Sequence, residues 1–204
     1  MKILVLDNYD SFTYNLVQYI TELTGEKPDV FRNDKIALSA VAQYDFIILS
    51  PGPGLPKDAS IMPELIKKYA PTKNIFGVCL GHQAITEAFG GTLYNLPKVY
   101  HGVATAIKIT DRSDAIFKNV PPEILVGRYH SWASVKETFP DDLKITAVDS
   151  SEGVIMALAH KKYNVKGVQF HPESVMTDYG KQILKNFLQQ ENTPASHNAI
   201  EYVF

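Results

Sequence analysis

The residue best suited to chemistry in this sequence is Cys79, the only cysteine in the chain. It follows the apolar run at residues 75–78, precedes a helix-forming stretch at 84–89, and is flanked by Gly77 and Gly81. Glycines two residues to either side of a reactive side chain are typical of a nucleophile elbow, here with cysteine in place of serine. The start of a helix also favours a thiolate. A small buried cysteine before an ordinary turn fits the same local pattern. The choice between the two interpretations depends on whether other catalytic residues accompany Cys79.

A candidate base lies far downstream, in the tripeptide His171-Pro172-Glu173, which follows an apolar run at residues 165–170. The histidine could take a proton from the thiol, and the carboxylate two residues later could orient the imidazole and stabilise its charged form. Open α/β sheets bind their ligands at the carboxyl ends of strands, where both Cys79 and His171 are expected. Taken alone, His-Pro-Glu is also an ordinary loop sequence.

A proline- and glycine-rich loop at residues 50–54 follows a third apolar run at 46–49. It has neither a Walker lysine nor a G-x-G-x-x-G pattern, so phosphate binding is unsupported. The backbone N–H of Gly52, with that of Leu80 just after the cysteine, could instead form an oxyanion hole. The alternative is a plain Pro/Gly turn.

The elements that must position these residues alternate between strands and helices in the first half of the chain. Strands are predicted at residues 2–6, 28–32, 46–49 and 75–78, and helices around 12–23, 39–42, 63–69 and 84–89. Such alternation predicts an α/β fold with an open, mostly parallel, doubly wound sheet flanked by helices.

After residue 91 the pattern becomes strand-rich, which predicts an antiparallel extension of the same sheet. Its strands are expected at 92–95, 103–109, 124–128, 144–148 and 155–159, before a further strand at 165–170. A helix at 177–190 carries an apolar stripe. We therefore expect one domain at residues 1–190 and a C-terminal tail at 191–204.

Composition narrows the classes of function. The 204 residues are 45% hydrophobic and 21% charged, with a formal net charge of −2, so nothing favours binding to nucleic acid or to an acidic membrane surface. One cysteine excludes an internal disulfide, and no apolar run approaches the roughly 20 residues of a membrane span. The first residues read as a strand and not as a signal peptide, so a soluble cytoplasmic protein is expected.

The stretch at residues 77–83, the His171-Pro172-Glu173 tripeptide and the 50–54 loop together resemble the class I glutamine amidotransferases. The resemblance covers nearly all of the chain to about Gln190. Within that family, residues 7–13 and the 50–54 loop are similar to the small subunits of anthranilate synthase and aminodeoxychorismate synthase. The resemblance implies hydrolysis of L-glutamine and delivery of ammonia to a chorismate-converting large subunit, with no metal and no cofactor.

Residue roles follow from the same resemblance. It implies Cys79 as nucleophile, His171 as general base and acid, and Glu173 as the group that orients the imidazole. The oxyanion donors it implies are the N–H groups of Gly52 and Leu80. The residues it implies for substrate binding are Gly52, Pro53, Gly54, Gln83, Ser131 and Trp132.

The sequence departs from the family pattern at Trp132, where many relatives have leucine, and at Val103, where a lysine is common. Two other hypotheses remain open at this point. One is a stand-alone Cys-His hydrolase that acts on γ-glutamyl or peptide substrates, and the other is a non-catalytic regulatory subunit.

Overall fold

The computed structural model describes residues 1–190, so the predicted tail at 191–204 lies outside the described residues. The domain boundary at residue 190 stays a prediction. The strands are β1 (Ile3–Asp7), β2 (Asp29–Arg32), β3 (Phe46–Leu49), β4 (Asn74–Val78), β5 (Leu93–Asn95), β6 (Val103–Ile109), β7 (Glu123–Arg128), β8 (Trp132–Ser134), β9 (Leu143–Asp149), β10 (Ile155–His160) and β11 (Val165–Val168). The α-helices are α1 (Thr13–Thr24), α2 (Met62–Tyr69), α3 (Leu80–Ala88) and α4 (Gly180–Leu188).

Nine strands form one mixed sheet in the order β2-β1-β3-β4-β11-β10-β9-β6-β7. The first five of these strands pair in parallel, and each remaining pair is antiparallel. The carboxyl ends of β1, β3, β4 and β11 therefore meet at one edge of the sheet. The predicted fold class, with a parallel core and an antiparallel extension, is confirmed.

Helices cover both faces of the parallel half, which explains why its central strands are apolar along their whole length. In β1, Ile3 and Val5 belong to the core on the face covered by α1 and α4, whereas Leu4 and Leu6 belong to the core on the face covered by α2 and α3. The apolar stripe predicted for the last helix is confirmed. Its buried members are Ile183, Leu184, Phe187 and Leu188.

The last strand and helix are shorter than predicted. The strand expected to reach residue 170 ends at Val168. The helix expected from residue 177 begins at Gly180, since Tyr179 has a positive φ of 58° and Thr177 donates through Oγ1 to the carbonyl oxygen of His171. The segment at residues 169–179, between β11 and α4, therefore belongs to neither element, and it carries the candidate functional side chains.

The prediction that residues 92–95 join the main sheet is wrong. They form β5, which pairs with β8 in a separate two-stranded antiparallel sheet, with Leu93 opposite Ser134 and Asn95 opposite Trp132. Sequence reasoning missed β8, because three residues carry no measurable alternation of apolar and polar side chains. The short helix expected at 39–42 is a 3-10 helix over Leu38–Gln43.

Within residues 1–190, no helix combines the length and apolar character that crossing a membrane requires.

Candidate active site

Cys79 occupies a strained turn between β4 and α3. Its φ of 51° and ψ of −98° lie in a region that side-chain-bearing residues rarely adopt, and such strain costs on the order of 1–3 kcal/mol. The backbone N–H of Cys79 donates to the carbonyl oxygen of Val168 at 2.8 Å, which fixes the turn against β11. The thiol is 6% exposed.

The two glycines beside the cysteine are required by close backbone contacts. A Cβ on Gly77 would lie 2.4 Å from the carbonyl carbon of Gly81. A Cβ on Gly81 would lie 2.7 Å from the carbonyl oxygen of Leu49. Both separations are too short for real atoms, so the predicted G-x-C-x-G pattern has the steric origin of a nucleophile elbow.

His171 and Glu173 form a buried pair at the same edge of the sheet. Nδ1 of His171 lies 2.7 Å from Oε1 of Glu173, and each residue is only 2% exposed. The backbone N–H of His171 donates to the carbonyl oxygen of Gly127, which anchors the imidazole to β7. Because Nδ1 is occupied by the carboxylate, Nε2 is the nitrogen left for a reaction.

The imidazole of His171 is biased toward its protonated form. Burial lowers its pKa, but the side chains of Cys79 and Glu173 offset this effect and raise the pKa above its ordinary value. Nε2 of His171 is buried without a well-formed hydrogen bond to any described residue. Catalytic hydrogen bonds are often loose before substrate arrives.

Two aromatic rings that sequence reasoning did not assign to the site hold the imidazole from the side. The ring centroid of Tyr129 lies 4.7 Å from that of His171, and that of Phe12 lies 5.3 Å away in an edge-on arrangement. These rings limit rotation of the imidazole. Phe12 stands in the stretch at 7–13 that carried the family resemblance, but nothing in its spacing pointed to His171.

The predicted oxyanion loop packs directly against the elbow. A Cβ on Gly52 would lie 2.6 Å from the carbonyl oxygen of Asn8 and 2.8 Å from Cδ2 of Leu80. Asn8 fastens the loop, since its backbone N–H donates to Oγ of Ser50 and its Nδ2 donates to the Ser50 carbonyl oxygen, both at 2.8 Å. Leu80 is the first residue of α3, where backbone N–H groups lack partners within the helix.

The rest of that loop is more open. Pro53 and Gly54 are exposed. Pro53, Asn8 and Leu80 contribute to the wall of a cavity of about 300 Å³. The structure thus brings Gly52 to the elbow and leaves the next two residues exposed to solvent.

Gln83 links the elbow helix to the 131–132 segment. Its Nε2 donates to the carbonyl oxygen of Trp132 at 2.9 Å and to Oε1 of Gln169 at 3.1 Å. The carbonyl oxygen of Ser131 is occupied, because it accepts the N–H of Leu96 at 2.7 Å. Of the predicted substrate-binding residues, Gln83 and Trp132 are therefore in direct contact.

Gln169 is a candidate that sequence reasoning missed. It is fully buried, and its Nε2 lies 3.6 Å from Sγ of Cys79. The signal was a polar residue close to the end of the largely apolar run that leads to His171. On its own, that signal does not say which face of the chain the amide occupies.

These residues give one edge of the sheet a nucleophile, a charged imidazole with its carboxylate, and backbone donors beside the sulfur. Such a set is suited to acyl transfer through a thioester. Within residues 1–190, no three His, Cys, Asp or Glu side chains are grouped so that they could hold a metal ion.

Comparison with known proteins agrees with this chemistry. The chain is 45% identical to aminodeoxychorismate/anthranilate synthase component 2 of Bacillus subtilis, over 92% of this chain and 95% of that protein. It is 47% identical to anthranilate synthase component 2 of Cyanophora paradoxa, over 91% of this chain and 97% of that protein.

A crystal structure of a glutamine amidotransferase from Thermotoga maritima has the same fold. Its TM-score is 0.74 at 13% sequence identity, and the match covers 92% of this chain and 96% of that one. The family model described as "Glutamine amidotransferase class-I" matches residues 4–190. The protein therefore belongs to the class I glutamine amidotransferases.

Proposed function

We propose that this protein is the glutaminase subunit of a chorismate-utilising synthase. It hydrolyses L-glutamine and delivers the ammonia to a large partner subunit that makes anthranilate or aminodeoxychorismate. The observation that carries the chemistry is the convergence of Cys79, the buried His171–Glu173 pair and Gln83 at one edge of the sheet. The partner is inferred from relatives named component 2 of these two synthases.

The first half-reaction makes a thioester. The sulfur of Cys79 attacks the side-chain amide carbon of glutamine, and the N–H groups of Gly52 and Leu80 stabilise the negative oxygen. Protonated His171 gives its Nε2 proton to the amide nitrogen, the carbon–nitrogen bond breaks, and ammonia leaves. The raised pKa of His171 suits this step, because the acid is already charged when the substrate arrives.

The second half-reaction releases glutamate. His171 takes a proton from water, whose oxygen attacks the thioester carbon, and the carbon–sulfur bond breaks to restore the thiolate. Glu173 stabilises the imidazolium that forms again in this step. Gln83 and the backbone at Ser131 and Trp132 hold the amino-acid end of glutamine, with Pro53 and Gly54 at the mouth of the pocket.

Labelling tests the site. A glutamine-like diazoketone should modify one residue of the protein, and Cys79→Ser should abolish the label. A screen of glutamine against γ-glutamyl peptides separates this function from that of a stand-alone hydrolase, which would prefer the peptides. Unlabelled protein that still binds a partner would instead identify a regulatory subunit.

Co-purification with a chorismate-converting partner tests the assignment to a synthase. The complex should convert chorismate to product with glutamine as nitrogen donor. If ammonium salts support product formation and glutamine does not, the chain is not the nitrogen supplier.

A further inference from the structure

We propose that Gln169 is a further catalytic residue, whose side-chain amide donates a hydrogen bond to Sγ of Cys79 and stabilises the thiolate. The contact is 3.6 Å long and joins the end of β11 to the elbow. The inference rests on the proposed function for its catalytic meaning, but the hydrogen bond itself can be tested without glutamine or a partner.

The orientation of the Gln169 amide is dictated by a backbone carbonyl. The oxygen of Trp132 can only accept, so the Gln83 atom that contacts it at 2.9 Å must be Nε2. That Nε2 also contacts Gln169 at 3.1 Å, and because it can only donate, the atom it meets must be Oε1 of Gln169. The other end of the Gln169 amide, the N–H₂ group, therefore points to the sulfur.

The Trp132 carbonyl is itself held by a second donor. Nδ1 of His130 lies 2.8 Å from it and must carry the proton, because the carbonyl oxygen has none to give. Nε2 of His130 then accepts from Nε of Arg128 at 3.1 Å, and Arg128 is paired with Asp149 at 2.9 Å. In each of these hydrogen bonds only one of the two atoms can be the donor.

The charge state of His130 agrees with this assignment. Burial, reinforced by the positive charge of Arg128, lowers the pKa of His130 to about 3. The ring is therefore neutral at the pH of the reaction, with one nitrogen protonated and one free to accept. Arg128 is fully buried, so its orientation is fixed by packing as well as by Asp149.

A thiolate at this position needs donors from the protein. Cys79 is 6% exposed and Gln169 is fully buried, so water cannot solvate the sulfur from that side. An unsolvated charge is costly, and an amide N–H lowers that cost without adding a positive charge that would repel protonated His171. The charged and titratable groups around this network are His171, Glu173, His82, His130, Arg128 and Asp149.

Alkylation of Cys79 by iodoacetamide, followed as a function of pH, tests the hydrogen bond. The chain has one cysteine, so the rate reports this sulfur alone. In Gln169→Glu an oxygen replaces the donor, and in Gln169→Met the donor is lost without added charge. In Gln169→Met the pH midpoint of alkylation should rise by about one unit, a tenfold loss of thiolate at fixed pH, and in Gln169→Glu the added negative charge should raise it further. Gln43→Glu, at an exposed position at the end of a 3-10 helix, should keep the wild-type midpoint.

Steady-state kinetics give a second readout. Because the hydrogen bond acts on the nucleophile, kcat for glutamine should fall about tenfold in both Gln169 variants, while KM changes less. Thermal unfolding identifies a Gln169 variant that does not fold. The remaining variant then provides the test of the hydrogen bond. Wild-type midpoints in both folded variants would overturn the proposal. If the alkylation midpoint shifts in the Gln169 variants but the wild-type protein does not hydrolyse glutamine, the hydrogen bond is supported and the proposed function is rejected.

Discussion

The His171–Glu173 pair sets the chemistry of the site at the scale of single residues. A carboxylate 2.7 Å from Nδ1, in surroundings from which water is excluded, favours the imidazolium and fixes which nitrogen is free. The cysteine in the strained elbow and the histidine held by its carboxylate therefore act together.

Replacing Glu173 by glutamine should reveal the effect of the carboxylate on His171 in the pH–rate profile. The amide keeps the shape of the side chain but loses its charge, so the pKa of His171 should fall toward its ordinary value. Ammonia must leave with a proton from the imidazolium, so the high-pH limb of kcat should move to lower pH. We expect kcat to drop roughly 10²- to 10⁴-fold.

Glu22→Gln is the matched control for this change. It removes an exposed carboxylate that is paired with Lys181, on α1 and away from the site, so both the rate and its pH profile should stay at wild type. A Glu173→Gln enzyme with an unmoved high-pH limb would show that the carboxylate does not tune the imidazole.

At the scale of elements, the turn between β4 and α3 depends on small residues. Gly81→Ala would press a Cβ against the carbonyl oxygen of Leu49 in β3, at 2.7 Å. Backbone cannot yield as a flexible side chain does, so we expect a loss of about 1–3 kcal/mol of stability in urea unfolding. Glutaminase activity should fall further than stability, because the shift displaces Cys79.

The control for this strain is Gly153→Ala. Gly153 has a positive φ of 69°, which Gly81 does not have, but open space surrounds its Cβ position. It should lose about 1 kcal/mol or less and keep its activity. A Gly81→Ala protein that loses no more stability than Gly153→Ala and keeps wild-type activity would show that the contact with Leu49 does not make glycine necessary in the elbow.

Helix α3 also carries an acid-sensitive contact with β11, at His82. The side chain is fully buried against Gly167, and burial lowers its pKa from 6.5 to about 4. Between these values the unfolded chain binds more protons than the folded protein, so stability decreases as the pH falls. From about pH 7 to pH 5, His82 alone should remove on the order of 1–2 kcal/mol.

Unfolding of His82→Gln at several pH values checks this prediction. The variant lacks the titrating group, so its stability should fall less steeply with acid than that of wild type. The slope is the test, because any constant loss from repacking affects all pH values alike. Parallel curves for the two proteins would assign the acid sensitivity to other groups.

The sequence predicted elements well where periodicity was long or turn chemistry was specific. The strands on either side of the site and the elbow glycines could be predicted, because a buried run followed by G-x-C-x-G leaves few alternatives. The β5–β8 pair could not, since short strands are specified by contacts distant in the chain. Gln169 was missed for the same reason: its role depends on Gln83 and Trp132, which the sequence does not place beside it.

At the scale of the whole molecule, the mixed sheet brings every candidate group to one edge. Cys79, the Gly52 loop and His171 each follow a parallel strand. The antiparallel half of the sheet supplies Arg128 to the same place, and the separate β5–β8 sheet supplies Trp132. This edge also carries an exposed valine, Val175, which is 99% exposed two residues after Glu173. A partner that receives ammonia must dock where the ammonia is released, so contact with the partner and catalysis are expected at the same edge.

The isolated chain should therefore be a weak glutaminase that its partner activates. Nε2 of His171 has no well-formed hydrogen bond at rest, and ammonia released without an acceptor is wasted. Coupling between sites is typically worth about 1–3 kcal/mol, so adding the partner in equal amount should raise kcat by about 5- to 150-fold. Titration of partner into a fixed amount of the chain, with glutamate release as readout, measures the effect.

The Cys79→Ser complex separates activation from assembly. It should bind the partner, make no product from glutamine, and still make product from chorismate and ammonium salts. A wild-type chain that hydrolyses glutamine equally fast with and without its partner would refute the coupling. The Cys79→Ser complex would still be informative in that case. Loss of its ammonium-dependent activity would mean that the sulfur also serves the reaction of the partner.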